Sequence, residues 1–385
     1  MKICVVSDQA FPAWGGEGVA TQNLCMILSR RGYELLLLTS KVPHPPRIKG
    51  IEVIRFPSIF IPQRGHFAAT FFRQIVPIFK IKKIQVVHAN LPTFLGWQSF
   101  LAAKKLNIPC VAGLHVQVGN VVPYELPPFF FFKGLVEFWF SYFYKMADLL
   151  ISPSNLGKEI LSRYSSCRIE VVSNGIDPGI FNPTSICFDE IEKFKKKFGL
   201  KDSHLLIYTG RLNREKNVLY LVKIMQILRQ KKKNVKLLIV GKGELEKLLQ
   251  KKIFSTGLDE MIILTGFLSK GELLCAYREA DIFILPSLFE LQSIASLEAM
   301  AMGCAILVGK SSQSAACELV KEGINGYTFD LKDPHDAAEK INFILSNPAL
   351  RKSMQKASLT IVREHDIQES ITKVEKLYHE LLLLV

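Results

Sequence analysis

The sequence predicts an α/β protein made of two Rossmann-like, doubly wound domains. Three observations carry this. Short runs in which nearly every residue is apolar recur along the chain, at 2–7, 34–39, 52–56, 85–88, 109–114, 148–154, 205–209, 237–240, 262–266, 280–286 and 305–308. Such runs suit strands buried on both faces of a parallel sheet. Segments with helical spacing lie between them, the alternation expected of a doubly wound sheet. Several strands also end in a glycine- or proline-marked turn that opens a helix, as Pro286 ends 280–286 and Gly303 stops the helix that follows.

Composition bounds the class. The 385 residues leave room for two or three domains and a large core, and 49% hydrophobic residues exclude a disordered chain. Net charge is +14, with 19 Lys+Arg against 10 Asp+Glu up to Pro183 and 30 against 25 after it. The front half is the more basic, which suits nucleic acid, an anionic membrane or a phosphorylated ligand. No nucleic-acid module shows in the sequence, so no nucleic-acid partner is expected. The eight cysteines form no Cys-x-x-Cys pair and read as reduced residues of a cytoplasmic protein. The N-terminus reaches Asp8 after too short an apolar run for a signal peptide. Lys133, Glu137, Lys145 and Asp148 break the most apolar region, 126–151, so a spanning helix is not expected there.

The chemistry is expected at 286–303, where Glu290 and Glu298 stand eight positions apart. Glu290 falls in a strand-to-helix loop. Glu298 falls inside the helix that Ser293 would cap, among Ile, Ala, Leu and Met. Two surface acids are the plain alternative, but a carboxylate in so apolar a helix needs a partner. In an open α/β sheet such a loop lies at the carboxyl edge, where ligands bind. Helix N–H groups there attract phosphates, and carboxylates accept from sugar hydroxyls.

From the front, Gly15-Gly16 sits between a strand and a helix read over 19–30, in a turn that can approach a phosphate or simply be tight. His88 and His115 each close a strand; His88 reads as a structural histidine. Residues 67–83 and 127–145 mix aromatic and basic side chains, suiting either a membrane interface or a core with a solvated face. The second half opens with a strand, Gly210, then Arg211 and Lys216, cations spaced to clamp a diphosphate. Val-Gly-Lys-Gly at 240–243 lacks the third glycine of a dinucleotide fingerprint, since 246 is Glu. Gly309-Lys310-Ser311 lacks the first glycine of a P-loop, since 304 is Cys.

Taken together, Gly15-Gly16, Asn174-Gly175-Ile176-Asp177 with Phe181-Asn182-Pro183, Gly210-Arg211-Leu212 with Lys216-Asn217, Val240-Gly241-Lys242-Gly243, Glu290 and Glu298 with seven residues between, and Glu318 with Asn325-Gly326 resemble the retaining glycosyltransferases of family 4. The resemblance implies a GT-B fold, two domains facing a central cleft. Residues 1–180 would bind acceptor and 181–366 the nucleotide sugar, with a last helix at about 367–385 packing back on the first domain. It assigns Glu298 to ribose hydroxyls, Glu290 to sugar hydroxyls, and Arg211 and Lys216 to the leaving diphosphate. It places Gly15, Gly16, Gly210, Gln292, Ser293 and Ile294 around the donor, Phe267 and Leu268 near the base, and His115 beside the reacting carbon. It implies hexose transfer without metal or cofactor. The Leu291-Gln292-Ser293 departure from the usual glycine-containing pair leaves the sugar open, and Gln85 stands where the family has Asp. The aromatic segments resemble those of lipid glucosyltransferases, implying a lipid acceptor and peripheral contact with an anionic membrane on its inner face. A soluble or polyprenyl-linked glycan acceptor, an epimerase of the same fold and a non-catalytic membrane-binding protein are the alternatives.

Overall fold

The computed structural model describes every residue except 14, 62–64, 122–126, 202, 232–233 and 385, and the side chains of 127–131. Phe129, Phe130 and Phe131 of the four-phenylalanine run thus lie outside the described side chains. The chain forms two compact units, Met1–Asn174 with Ile367–Val385, and Gly175–Asp366.

The first unit is built on β1 (Lys2–Val6), β2 (Glu34–Ser40), β3 (Glu52–Phe56), β6 (Val86–Ala89), β7 (Cys110–Gly113), β8 (Leu149–Ser152) and β9 (Ile169–Val171), with the hairpin β4 (Ser58–Ile61) and β5 (Gly65–Ala68) apart. The sheet order is β3-β2-β1-β6-β7-β8-β9, with every neighbouring pair parallel. The chain winds outward from β1 in one direction and then in the other, so the switch point lies between β1 and β6. Gln85 ties these two strands: its side-chain oxygen accepts from the Lys2 N–H at 2.9 Å. Ile3, Val5, Leu35, Leu37, Val86, Val111 and Leu149 form the core beneath the final helix, Ile367–Leu382. That helix buries Ile367, Ile371, Val374, Leu377, Tyr378 and Leu381, a single apolar stripe at helical spacing. Its Tyr378 hydroxyl meets His88 Nδ1 in the interior. Burial pushes the His88 ring down to about 3, so it is a neutral structural histidine.

Two local expectations change. The first helix begins at Gly15, not residue 19, because Gly15 takes φ +72° and turns the chain straight into it. Residues 67–83 are not one amphipathic segment: 65–68 is a strand, and the helix is Phe72–Lys82, entered from an extended Phe71.

The second unit contains β10 (His204–Thr209), β11 (Val235–Val240), β12 (Ile262–Gly266), β13 (Ile282–Leu285), β14 (Ala305–Lys310) and β15 (Gly326–Asp330), in the all-parallel order β12-β11-β10-β13-β14-β15. Its switch point lies between β10 and β13. Gly309 and Lys310 are strand residues of β14, which removes any P-loop geometry. Asn325 is fully buried and holds its turn, donating to Leu319 O and accepting from Lys321 N. Gly326 must be glycine, since a Cβ there would stand 1.8 Å from Ile306 O.

Candidate active site

Three loops leave the carboxyl ends of β10, β13 and β14, and hydrogen bonds lock them together. Leu288 N–H donates to Glu215 O (2.9 Å), Ser311 Oγ donates to Leu288 O (2.7 Å), Glu290 N–H donates to Gln313 O (3.2 Å) and Ala315 N–H donates to Glu290 O (2.8 Å). Held on both sides, Glu290 presents its carboxylate to Lys216, whose Nζ lies 2.5 Å from Oε1. Both are largely buried, so each charge satisfies the other's need for a partner. Lys216 sits in a short 3-10 turn, Arg214–Lys216, closed by Asn217 at φ +52°. Asn tolerates that left-handed conformation, which accounts physically for Asn after the lysine. Arg211 pairs with Glu215 at 3.2 Å and keeps its guanidinium half in solvent.

The glycines of 240–243 serve this loop rather than a cofactor. Gly210 and Leu212 donate to Val240 O and Lys242 O (3.0 Å each), pressing the two turns together. A Cβ on Gly241 would stand 2.0 Å from Gly210 O, and one on Gly243 2.6 Å from Leu212. Gly210 thus sets the path that delivers Arg211.

The helix Ile294–Ala301 starts beside Glu290. Ser293 caps it, its Oγ accepting from Ser296 N–H at 3.1 Å, and Gly303 follows at φ +83°. Ser293 Oγ accepts from Ser296 N–H and from Ser296 Oγ–H, which leaves its own hydrogen to donate, so both this hydroxyl and the backbone N–H groups around Gln292, Ser293 and Ile294 are donors for a phosphate. One turn further, Glu298 is half-buried among apolar groups, and desolvation raises its carboxyl to about 7. Tyr277 donates to its Oε2 at 2.8 Å and pulls the pKa back down. Tyr277 OH also meets Thr209 Oγ1 at 2.5 Å. At the end of β12, Phe267 is 76% exposed with Lys242 Nζ 5.8 Å from its ring centroid, an open aromatic face, while Leu268 packs against the core.

The remaining candidates belong to the first unit. Gly15 and Gly16 are exposed at the start of the helix Gly15–Arg30. His115 follows β7; burial lowers its pKa to about 4, so it is neutral at pH 7. A Cβ on Gly113 would stand 2.3 Å from Asn90 Oδ1 and 3.2 Å from His115 Nε2, so the three meet at the carboxyl edge. Glu17 was not foreseen. It is buried, accepts from Ser7 Oγ (2.9 Å) and Thr21 Oγ1 (2.7 Å), keeps Oε2 without a partner, and is raised to about 7 by desolvation. The i, i+4 spacing of Glu17 and Thr21 was the only local sign of it. Tyr277 was missed too, because its partners lie 21 and 68 residues away.

Comparison with known proteins shows the family. Residues 14–179 match the model of glycosyltransferase family 4, and residues 190–360 that of glycosyl transferases group 1. The α-monoglucosyldiacylglycerol synthase of Streptococcus pneumoniae is 26% identical over 80% of this chain and 70% of its own length. The Acholeplasma laidlawii enzyme of the same name is 24% identical over 99% and 98%. The sulfoquinovosyl transferase SQD2 of Arabidopsis thaliana is 25% identical over 92% and 68%. Among solved structures, sucrose-phosphate synthase from Thermosynechococcus elongatus superposes with TM-score 0.81 at 18% identity over the full length of both chains. Anabaena HepE in complex with UDP-glucose gives 0.79 at 17%, over 99% and 100%. The two family matches therefore make the chain a glycosyltransferase, and its fold is that of the GT-B class. Within that class the chain belongs to the family 4-like glycosyltransferases.

Proposed function

We propose that this enzyme transfers a hexose from a nucleotide diphosphate sugar to a hydroxyl of a membrane lipid, with retention at the anomeric carbon. The observation that carries the donor half is the Lys216–Glu290 pair at the second unit's switch point, flanked by Arg211, the capped helix Ile294–Ala301 and Glu298. In this reading Glu298, ionised, accepts from the ribose hydroxyls. Lys216 and Arg211 neutralise the charge that builds on the leaving diphosphate, aided by the helix N–H groups. A carboxylate has room for about four hydrogen bonds, so Glu290 can hold Lys216 and a sugar hydroxyl together. From the first unit the reading assigns the Gly15-Gly16 turn to the diphosphate and neutral His115 to the sugar. The leaving phosphate takes the acceptor's proton, and no metal or cofactor is used.

The lipid half rests on the names of the relatives and on the first unit's surface. The helix Pro127–Lys145 divides its aromatics by face. Phe140, Phe143 and Tyr144 are buried, whereas Phe132, Leu135, Phe138 and Tyr142 are exposed. Ring contacts run from Phe71 to Phe94 (5.7 Å), Trp97 (6.2 Å), Tyr142 (5.9 Å) and Phe138 (6.4 Å). This joins the two aromatic segments into one surface, with Arg73, Lys80, Lys83 and Lys145 exposed on the same elements. Aromatics beside cations suit the interface of an anionic bilayer, which supports peripheral attachment on the inner face. Among the described residues, no helix is long and apolar enough to cross a membrane.

The test offers UDP-glucose, UDP-galactose, UDP-N-acetylglucosamine and GDP-mannose separately, each with and without anionic vesicles containing diacylglycerol. The expected product is a glycolipid whose anomeric NMR couplings (proton–proton, or one-bond carbon–proton for mannose) show an α-linkage from one donor. A β-linked product rejects retention, an epimerised sugar without acceptor makes the chain an epimerase, and turnover indifferent to vesicles moves the acceptor to a soluble or polyprenyl-linked glycan.

A further inference from the structure

We infer that Tyr277 is the positioning residue for Glu298, passing a hydrogen bond from Thr209 at the end of β10 to the carboxylate that meets the donor. The inference rests on the reading of Glu298 as the ribose carboxylate. Tyr277 lies on the helix Lys270–Glu279 and is fully buried. Its hydroxyl has one hydrogen, given to Glu298 Oε2 at 2.8 Å, so it accepts from Thr209 Oγ1 at 2.5 Å. Phe181 and Phe283 hold its ring, with centroids 6.4 and 6.5 Å away. The chain Thr209, Tyr277, Glu298 therefore fixes Oε2 and leaves Oε1 to the ligand. A donor aimed at the carboxylate also favours its ionised form, and each bond in such a chain polarises the next. Desolvation works the other way and holds the Glu298 carboxyl near 7. Among the described residues, Tyr277 is the titratable group in contact with Glu298; Cys304 lies behind it, its Sγ 3.1 Å from Tyr277 O.

Calorimetric titration of the full chain with UDP and with GDP between pH 5.5 and 8.5 tests this, using the nucleotide that binds more tightly. Wild-type affinity should rise as pH climbs through about 7, as Glu298 ionises. Tyr277→Phe should weaken binding roughly fivefold at pH 7 and move the midpoint up by about one unit, recovering most affinity at pH 8.5. Thr209→Val should shift the midpoint in the same direction by less. Glu298→Gln should bind weakly with no midpoint of its own; its profile subtracts the nucleotide's phosphate titration, whose pKa is about 6. A Tyr277→Phe chain that melts normally and keeps the wild-type affinity and midpoint overturns the inference. So does one that is weaker by the same factor at every pH, since that is a merely structural role. If Glu298→Gln binds as tightly as wild type at all pH values, the ribose reading itself fails. Binding of neither nucleotide by wild type overturns both.

Discussion

Lys216 and Glu290 are 74 residues apart in sequence and 2.5 Å apart in the fold. Each was legible alone, one after a glycine-marked strand end and the other before an apolar helix. Their pairing was not, because nothing local records which strands are neighbours. The pair makes a sharp prediction. Lys216→Ala strands a buried carboxylate, so it should lower both kcat and thermal stability, while Lys216→Ala/Glu290→Gln should regain stability but not activity; melting curves and initial rates separate the two. Glu17 gives a second residue-scale prediction. Its folded pKa of about 7 exceeds its unfolded value, so the folded state prefers the proton. Stability from this group is complete below about 4.5 and lost as pH rises through 7. Glu17→Gln should therefore gain on wild type by about 3 kcal/mol more at pH 8 than at pH 4, measured by urea unfolding at both. Equal differences at the two pH values would contradict the assignment.

Elements were the most legible scale. The strands read from apolar runs recur within a residue or two at most positions, because both faces of each strand are covered and alternation disappears. The helix after Glu290 has both its ends marked, by Ser293 and Gly303. The hairpin at 58–68 escaped because its second strand runs on into a phenylalanine-rich helix, and the aromatic run masked the break at Thr70-Phe71. Where glycine is required, the reason is contact between elements. Gly241→Ala would drive a methyl into Gly210 O, displacing the turn that carries Arg211. It should lower Tm by several degrees and weaken nucleotide binding more than tenfold, checked by thermal melting and titration. A variant that melts lower yet binds normally would disconnect that turn from the donor.

At the scale of the molecule, the order of the second sheet decides the chemistry. Because β13 rather than β12 lies beside β10, the Arg211–Lys216 loop meets the Glu290 loop, and only the structure shows it. The aromatic surface of the first unit is likewise a property of the assembled unit. Phe71 and Phe138 are 64% and 67% exposed, so replacing both by Ser should leave Tm unchanged. It should cut sedimentation with anionic vesicles about tenfold or more, and the residual binding should fall further with added salt. Unaltered sedimentation would remove the surface from the acceptor reading.

In the proposed reaction the cations at the second unit's switch point stabilise a leaving nucleoside diphosphate. Nucleotide release, followed with the preferred donor and saturating acceptor vesicles in wild type and Arg211→Ala, tests it most directly. Arg211→Ala should lower kcat by about 10² to 10³, some 3–4 kcal/mol of transition-state stabilisation, with a smaller change in donor KM. A variant that releases nucleotide at the wild-type rate would take Arg211 out of the reaction and contradict the claim.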